Sequence, residues 1–345
     1  VFLCYLKDTG QEFRCGGKGT DSLISLWKGP GTLNTQPEYQ RAVLPATGNI
    51  LNLVALLFQL IPKNLLSLLT GYLARLRLPR PLSTYLLKGF ASAFNLDMSE
   101  AEMPLERYPT IEDLFTRRLK EGVRPIHGPL VSPADGYLAI SAPCDTPDLA
   151  IQAKGLTYSL SELVTGTPQV PTGIHSEGID CAWYQTIYLA PHNYHRVHAP
   201  FSGRVRLIRY IPGELWPVNI PFVMRIPRLF CRNERLVFEC DVLTGGKAWI
   251  VMVGALNVGR MITPLKPELV TNALDRQTTP TPSVAQVDLD LKVGSEIGTF
   301  MLGSTVIVVY DAKALSGLGG PETVIKENDN NPVKMGQTLL RGAHD

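Results

Sequence analysis

Several things are missing from this chain of 345 residues, and each absence narrows what it can be. It has no surplus of one charge. The 33 basic residues stand against 31 acidic ones, a net of +2, which speaks against a nucleic-acid protein held by phosphate contacts. Its six cysteines form no CxxC pair. A zinc ribbon and a disulfide-dense secreted scaffold are therefore poor readings, and reduced thiols are the expectation. No basic stretch followed by an apolar core and a small-residue cleavage site opens the chain, so secretion is not indicated. No internal repeat, no low-complexity tract and no G-x-S-x-G nucleophile elbow occurs. What the chain has in quantity is apolar surface to bury: 45% hydrophobic against 19% charged residues, with a length suited to about two domains.

One absence is local. Residues 42–96 contain Lys63, Arg75, Arg77, Arg80 and Lys88 but no Asp or Glu, and they are the most apolar part of the chain. Residues 50–61 (ILNLVALLFQLI) are almost wholly apolar before Pro62 interrupts. Residues 64–78 then place leucines at 65, 66, 68, 69, 73 and 76, the spacing of one helical face, with Arg75 and Arg77 closing the helix. A spanning helix needs ~20 apolar residues, and the uncharged window 42–62 reaches that only by admitting Pro45, Gly48, Asn49 and Asn52. A helical hairpin buried in a soluble domain is one reading. The favoured one is a pair of helices lying in a membrane interface, apolar faces in the acyl boundary and basic residues at the headgroups. That is a monotopic anchor rather than a span.

These features divide the chain into a poorly ordered extension over 1–40, readable as non-native sequence, a helical membrane-binding module over 41–105 and a β-rich catalytic domain over 106–345. The fold class is α+β. In the last part Thr110 reads as the N-cap of a short helix, with Glu112 and Asp113 in its first turn. Strands are expected over Thr186–Ala190, Gly203–Ile211, Leu236–Val242, Ala248–Leu256 and Thr305–Tyr310, with a further short helix near Ser159–Val164. The runs at 248–256 and 305–310 are continuously apolar, as central strands covered on both faces are.

Three of only six histidines, His192, His195 and His198, fall within the segment PHNYHRVHAP (191–200). No carboxylate or cysteine accompanies them, so a metal site is disfavoured. Residues three apart on a regular strand face opposite ways, so a site using both His195 and His198 requires an irregular segment. Surface histidines on a loop are the plainer alternative. SPADG (132–136) is a turn by composition and carries Asp135. LGST (302–305) stands at the entry to VIVVY, with Gly303 directly before Ser304. Asp135, His198 and Ser304 together supply an acid, a base and a nucleophile. The serine sits at a strand entry rather than on an elbow, and its hydroxyl can reach the carbonyl carbon of its own preceding peptide bond.

Six segments, in order, carry a resemblance: FTRRLKEGVRPI (115–126), SPADG (132–136), YHRVHAP (194–200), PGELWPVN (212–219), FCRNERL (230–236) and LGSTV (302–306). On these, from about Leu60 to about Leu340, the chain resembles phosphatidylserine decarboxylases of the membrane-associated bacterial and mitochondrial type. Residues 1–40 have no counterpart, and Asn193 stands where the family often has Asp. The resemblance implies an inactive proenzyme that cuts itself between Gly303 and Ser304. His198, oriented by Asp135, would take the proton of Ser304, whose oxygen attacks the Gly303 carbonyl. Elimination and loss of ammonia then leave a covalent pyruvoyl group at position 304, the site of Schiff-base formation with phosphatidylserine, and no metal. The pyruvoyl group acts as the electron sink while carbon dioxide leaves, and His195 is implied as the proton donor that completes phosphatidylethanolamine. Arg196 and Arg232 are offered as phosphate ligands, although a solvated surface arginine is the favoured reading of each.

The partners so implied are phosphatidylserine in its bilayer, the membrane surface, and the two cleavage products, which stay docked through the VIVVY strand. The small one comprises residues 304–345. A homodimer is a further association the resemblance raises, and nucleic acid is not a partner. A peripheral place on the cytoplasmic side of a bacterial inner membrane is favoured over the mitochondrial inner membrane, since no Arg-rich, Ser-rich transit segment precedes the helices. Two competing functions remain: a membrane-associated serine hydrolase using Asp135, His198 and intact Ser304, and a non-catalytic β-domain.

Overall fold

The run Thr305–Val309 (TVIVV) is β-branched at every position. Such a run has high strand propensity and no polar face, so it is stable only where both faces are covered. In the computed structural model it forms β12 (Ser304–Asp311), buried from Ser304 through Tyr310 and flanked on both edges by β4 (Cys181–Leu189) and β8 (Lys247–Val253). Beyond β8 lie β7 (Arg235–Val242), β6 (Gly203–Ile211) and β10 (Ser283–Leu291); beyond β4 lie β1 (Gly136–Pro143) and β13 (Asn331–Val333). Every pairing in this eight-stranded sheet is antiparallel. A small sheet of β5 (Arg196–His198), β11 (Glu296–Phe300) and β9 (Met261–Ile262) carries the histidine segment, and β2 (Leu149–Ala153) pairs with β3 (Leu156–Ser159). The edge strand β10 alternates outward polar positions, and its Asp288 and Asp290 pair with Arg206 and Arg204 of β6, charges that blunt the open edge.

The structure describes residues 62–144, 148–153, 156–167, 179–256, 260–271, 283–301, 304–325 and 331–340. All of them fall in one unit, Thr47–Asp345. The apolar run 50–61 and the extension 1–40 lie outside the described residues, as does Gly303. The molecule is an α+β protein with a β-rich body, and among the described residues no helix is long and apolar enough to cross a membrane.

Helix α1 (Lys63–Ala74) follows Pro62 and stops with Arg75 as its C-cap, short of the expected end at 78. Its leucine stripe faces outward: Leu65, Leu69 and Leu73 are exposed, while Ser67 and Ala74 pack inward. Lys63, expected at a headgroup, is instead buried, 3.3 Å from Glu214 and 4.1 Å from the centre of the Trp216 ring. Helix α2 (Leu82–Ala93) likewise exposes Leu82, Tyr85 and Leu86 and buries Leu87 against Tyr108 and Leu114. The short α3 (Ile111–Phe115) is capped as its sequence predicts, with Thr110 Oγ1 accepting from Asp113 N–H at 3.1 Å. Ser159 caps α4 (Leu160–Thr165) in the same way.

One expectation fails outright. Cys144 and Cys181 are joined by a disulfide, whereas reduced thiols were expected throughout. The antiparallel pairing of β1 with β4 brings the two Cα atoms to 6.0 Å, within bridging distance, although 37 positions separate them in sequence. Cys231 and Cys240 are free and buried.

Candidate active site

Ser304, first residue of β12, pairs with Leu189, last residue of β4. Beyond Leu189 the chain turns at once. Asn193 N–H donates to Ala190 O at 2.9 Å, and Asn193 Oδ1 accepts from Ala190 N–H at 2.7 Å. His195 follows, and its carbonyl accepts from Phe300 N–H at 3.0 Å, four residues before Ser304. The segment is irregular up to His195 and becomes strand only at β5, as a site using both histidines requires. Both are buried, so they are not surface loop residues.

His195 is fully buried, its ring lying on Phe115 at 3.9 Å between centroids. Its Nδ1 meets Asn193 O at 2.8 Å, and because a carbonyl only accepts, Nδ1 carries the proton. Nε2 then holds the lone pair, and it has no partner among the described residues. Burial, aided by the Arg117 charge, pushes the pKa well below 6.5, so the ring is neutral at pH 7. Ser304 Oγ is also buried, with no partner among the described residues. An unpaired buried hydroxyl costs ~1–3 kcal/mol. A methyl group would fill that place without the cost, so the hydroxyl points to chemistry.

His198 ends β5, and its N–H donates to Pro133 O of the SPADG segment at 2.8 Å. Its Nδ1 donates to Gly294 O at 2.8 Å, while Nε2 accepts from Tyr194 OH at 3.0 Å. Burial lowers its pKa as well. Asp135 Oδ1 accepts from Arg124 Nε at 2.9 Å and from Met335 N–H at 2.8 Å, and Oδ2 accepts from Arg124 Nη2. Arg124 continues to Glu100 at 2.6 Å and holds that carboxyl down to about 2. The backbone thus pins the Asp135 turn against His198, while their side chains engage other partners. Gly136 permits the close pass of this turn, since a Cβ there would run into Tyr188 O of β4.

Tyr194, Arg117 and Arg124 were not singled out from the sequence. All three lie inside the quoted segments YHRVHAP and FTRRLKEGVRPI, but no spacing rule marks them. Arg196, offered for the lipid phosphate, grips Glu296 at 2.8 and 3.0 Å, and Arg232 pairs with Glu214 at 2.9 Å.

A profile of the family described as phosphatidylserine decarboxylase matches residues 111–341. A Myxococcus xanthus protein named phosphatidylserine decarboxylase proenzyme is 38% identical over 268 residues, covering 75% of this chain and 90% of that protein. Proteins of the same name from Pseudomonas fluorescens and Pseudomonas aeruginosa are 37% and 36% identical, covering 95% and 93% of their own lengths. The chain belongs to the phosphatidylserine decarboxylase family. The match spans the segments that hold Asp135, His195, His198 and Ser304, and begins at Ile111, the first residue of α3.

Proposed function

We propose that this chain converts phosphatidylserine to phosphatidylethanolamine after cutting itself between Gly303 and Ser304. The observation that carries the reading is Ser304: a buried hydroxyl, unpartnered among the described residues, opening a central strand in a family whose curated relatives are named proenzymes. His198 Nε2 takes the Ser304 proton once the Tyr194 hydroxyl yields its place, and the nearby Asp135 charge favours the cation that forms. Ser304 Oγ then attacks the Gly303 carbonyl carbon, and the bond from that carbon to the Ser304 nitrogen breaks, leaving an ester. Loss of the Ser304 α-proton expels the chain ending at Gly303, and water replaces the nitrogen as ammonia departs.

The pyruvoyl group so formed supplies an electron sink for the bond that releases carbon dioxide. Around it the residues fit: His195 Nε2 is an open base in a dry site. It accepts the proton that the substrate ammonium loses and returns one to the substrate carbon, so it serves as base first and proton donor afterwards. The strand pairing of β12 on both edges supports continued docking of the small chain.

Interfacial binding is supported by the outward apolar stripe: Leu65, Leu69, Tyr72, Leu73, Leu82 and Tyr85 are each more than half exposed, with Arg77, Arg80 and Lys88 exposed beside them. An enzyme at the membrane surface meets a diacyl lipid without extracting it. The deciding experiment is an intact-mass measurement on protein that forms phosphatidylethanolamine from phosphatidylserine vesicles. Two chains are expected, 1–303 and 304–345, the second lighter by one ammonia than its sequence requires. Active protein that remains one chain with an intact serine overturns the reading in favour of plain serine hydrolysis.

A further inference from the structure

Several arginines of this fold are filled by protein acceptors. Arg124 holds Asp135 and Glu100, Arg196 holds Glu296 and Thr116 O, Arg232 holds Glu214, and Arg235 donates to four backbone carbonyls. Arg117 differs. It is only 4% exposed, yet among the described residues it uses one donor, Nη2, on His192 O at 3.0 Å; Nε and Nη1 are buried without an acceptor. A guanidinium cannot shed its charge; Asp135, Asp97 and Glu100 act on Arg117 from a distance, but among the described residues none forms an ion pair with it, and a buried charge without one is expensive to keep. An anion from outside the chain would complete it.

The place of Arg117 indicates which anion. It lies two residues beyond Phe115, whose ring covers His195, and it donates to the carbonyl three residues before His195. Its charge is close enough to act on the His195 ring. Among the described residues Arg117, His195 Nε2 and Ser304 Oγ are thus buried polar groups without partners: Arg117 binds the backbone that leads into His195, and the His195 carbonyl pairs with Phe300, four residues before Ser304. Phosphatidylserine brings three charged groups to such a place. Its ammonium is repelled by a guanidinium and is the group that reacts. Its carboxylate would be stabilised in the ground state by an ion pair and held back from leaving as carbon dioxide. Its phosphodiester survives the reaction unchanged and matches the planar fork of a guanidinium.

We propose that Arg117, through Nε and Nη1, binds the phosphodiester of the substrate headgroup and thereby sets the reach from that anchor to His195 and position 304. The proposal rests on the phosphatidylserine reading given above. Its test uses a soluble short-chain phosphatidylserine for turnover and the matching short-chain phosphatidylethanolamine for calorimetric binding. The latter keeps the phosphodiester and lacks the carboxylate, and its Kd can be read without any turnover. In Arg117→Gln the substrate KM and the phosphatidylethanolamine Kd are expected to rise together, about 10- to 100-fold, with kcat much less affected.

A rise in KM with Kd unchanged would assign Arg117 to the carboxylate and overturn the proposal, as would no change in either. A folded variant that stays uncut would overturn it too, by placing Arg117 in self-cleavage. Should Arg117→Gln fail to fold, Arg117→Lys keeps the charge but not the fork, and a smaller joint rise is expected. A lysine variant that binds phosphatidylethanolamine like wild type would count against the proposal. Absence of decarboxylation by the wild-type protein would instead fail the function reading, and the Kd comparison would still decide the role of Arg117.

Discussion

His195 and His198 sit three residues apart with the same Nδ1 arrangement, each donating to a backbone carbonyl at 2.8 Å. They differ at Nε2, which is open in His195 and accepts from Tyr194 in His198. That difference separates their expected roles. His198→Ala should slow the appearance of the two chains on a denaturing gel, whereas His195→Ala should still be cut but form no phosphatidylethanolamine; an uncut His195→Ala would refute the division. Tyr194→Phe removes the competitor for the His198 lone pair, so cutting at least as fast as in wild type is expected. Arg124→Gln, made in a Ser304→Ala background so that one uncut chain is compared, breaks a buried ion pair to Asp135. It should lower stability by about 3 kcal/mol in urea unfolding. The residue types of this site were readable in the sequence, but not their partners. Nothing in SPADG says that Asp135 accepts from Met335 N–H, 200 positions away.

At the scale of elements, legibility followed the source of the stabilisation. β6 was expected over Gly203–Ile211 and is found there, and the expected Thr305–Tyr310 lies inside β12, because strand propensity and burial point the same way. The cap of α3 was equally readable, being a contact between residues three apart. Thr110→Ala should cost about 1 kcal/mol of stability, measured by thermal or urea unfolding, and loosen the Phe115 support beneath His195. β1, β10 and β11 were not identified. β10 shows why: its alternation is that of a half-exposed edge held by pairing with β6, not by its own composition. The helical face of α1 was readable, but its burial was not. Leu69→Glu together with Leu73→Glu should leave stability nearly unchanged, since both leucines are already in solvent, and should weaken sedimentation with anionic vesicles.

For the whole molecule, the buried histidines set a pH dependence. Burial lowers the pKa of both His195 and His198 from 6.5, so below that pH the unfolded chain binds protons that the folded one excludes. Stability should therefore be greatest above pH 6.5 and fall as the pH drops through it. A second decline follows as the pH goes from 4.5 toward about 2, where Glu100 loses its charge-assisted bond to Arg124. Urea midpoints of the Ser304→Ala protein across this range would show it; a flat profile below 6.5 would mean that the histidines are solvated in the folded state. The sheet also predicts how the cut protein behaves. β12 is paired along both edges, so the 304–345 chain should co-elute with the large chain in gel filtration and separate only in denaturant.

Sequence alone determined the central strand, the Thr110 cap, the reactive residue types and the family, because each depends on residue identity or on neighbours in the chain. Tertiary structure decided the outward turn of the α1 leucines, the Cys144–Cys181 bridge, the Gly294 carbonyl on His198 and the two open donors of Arg117. Each of these rests on which distant segments meet. A side chain buried with no partner is defined only by everything packed around it.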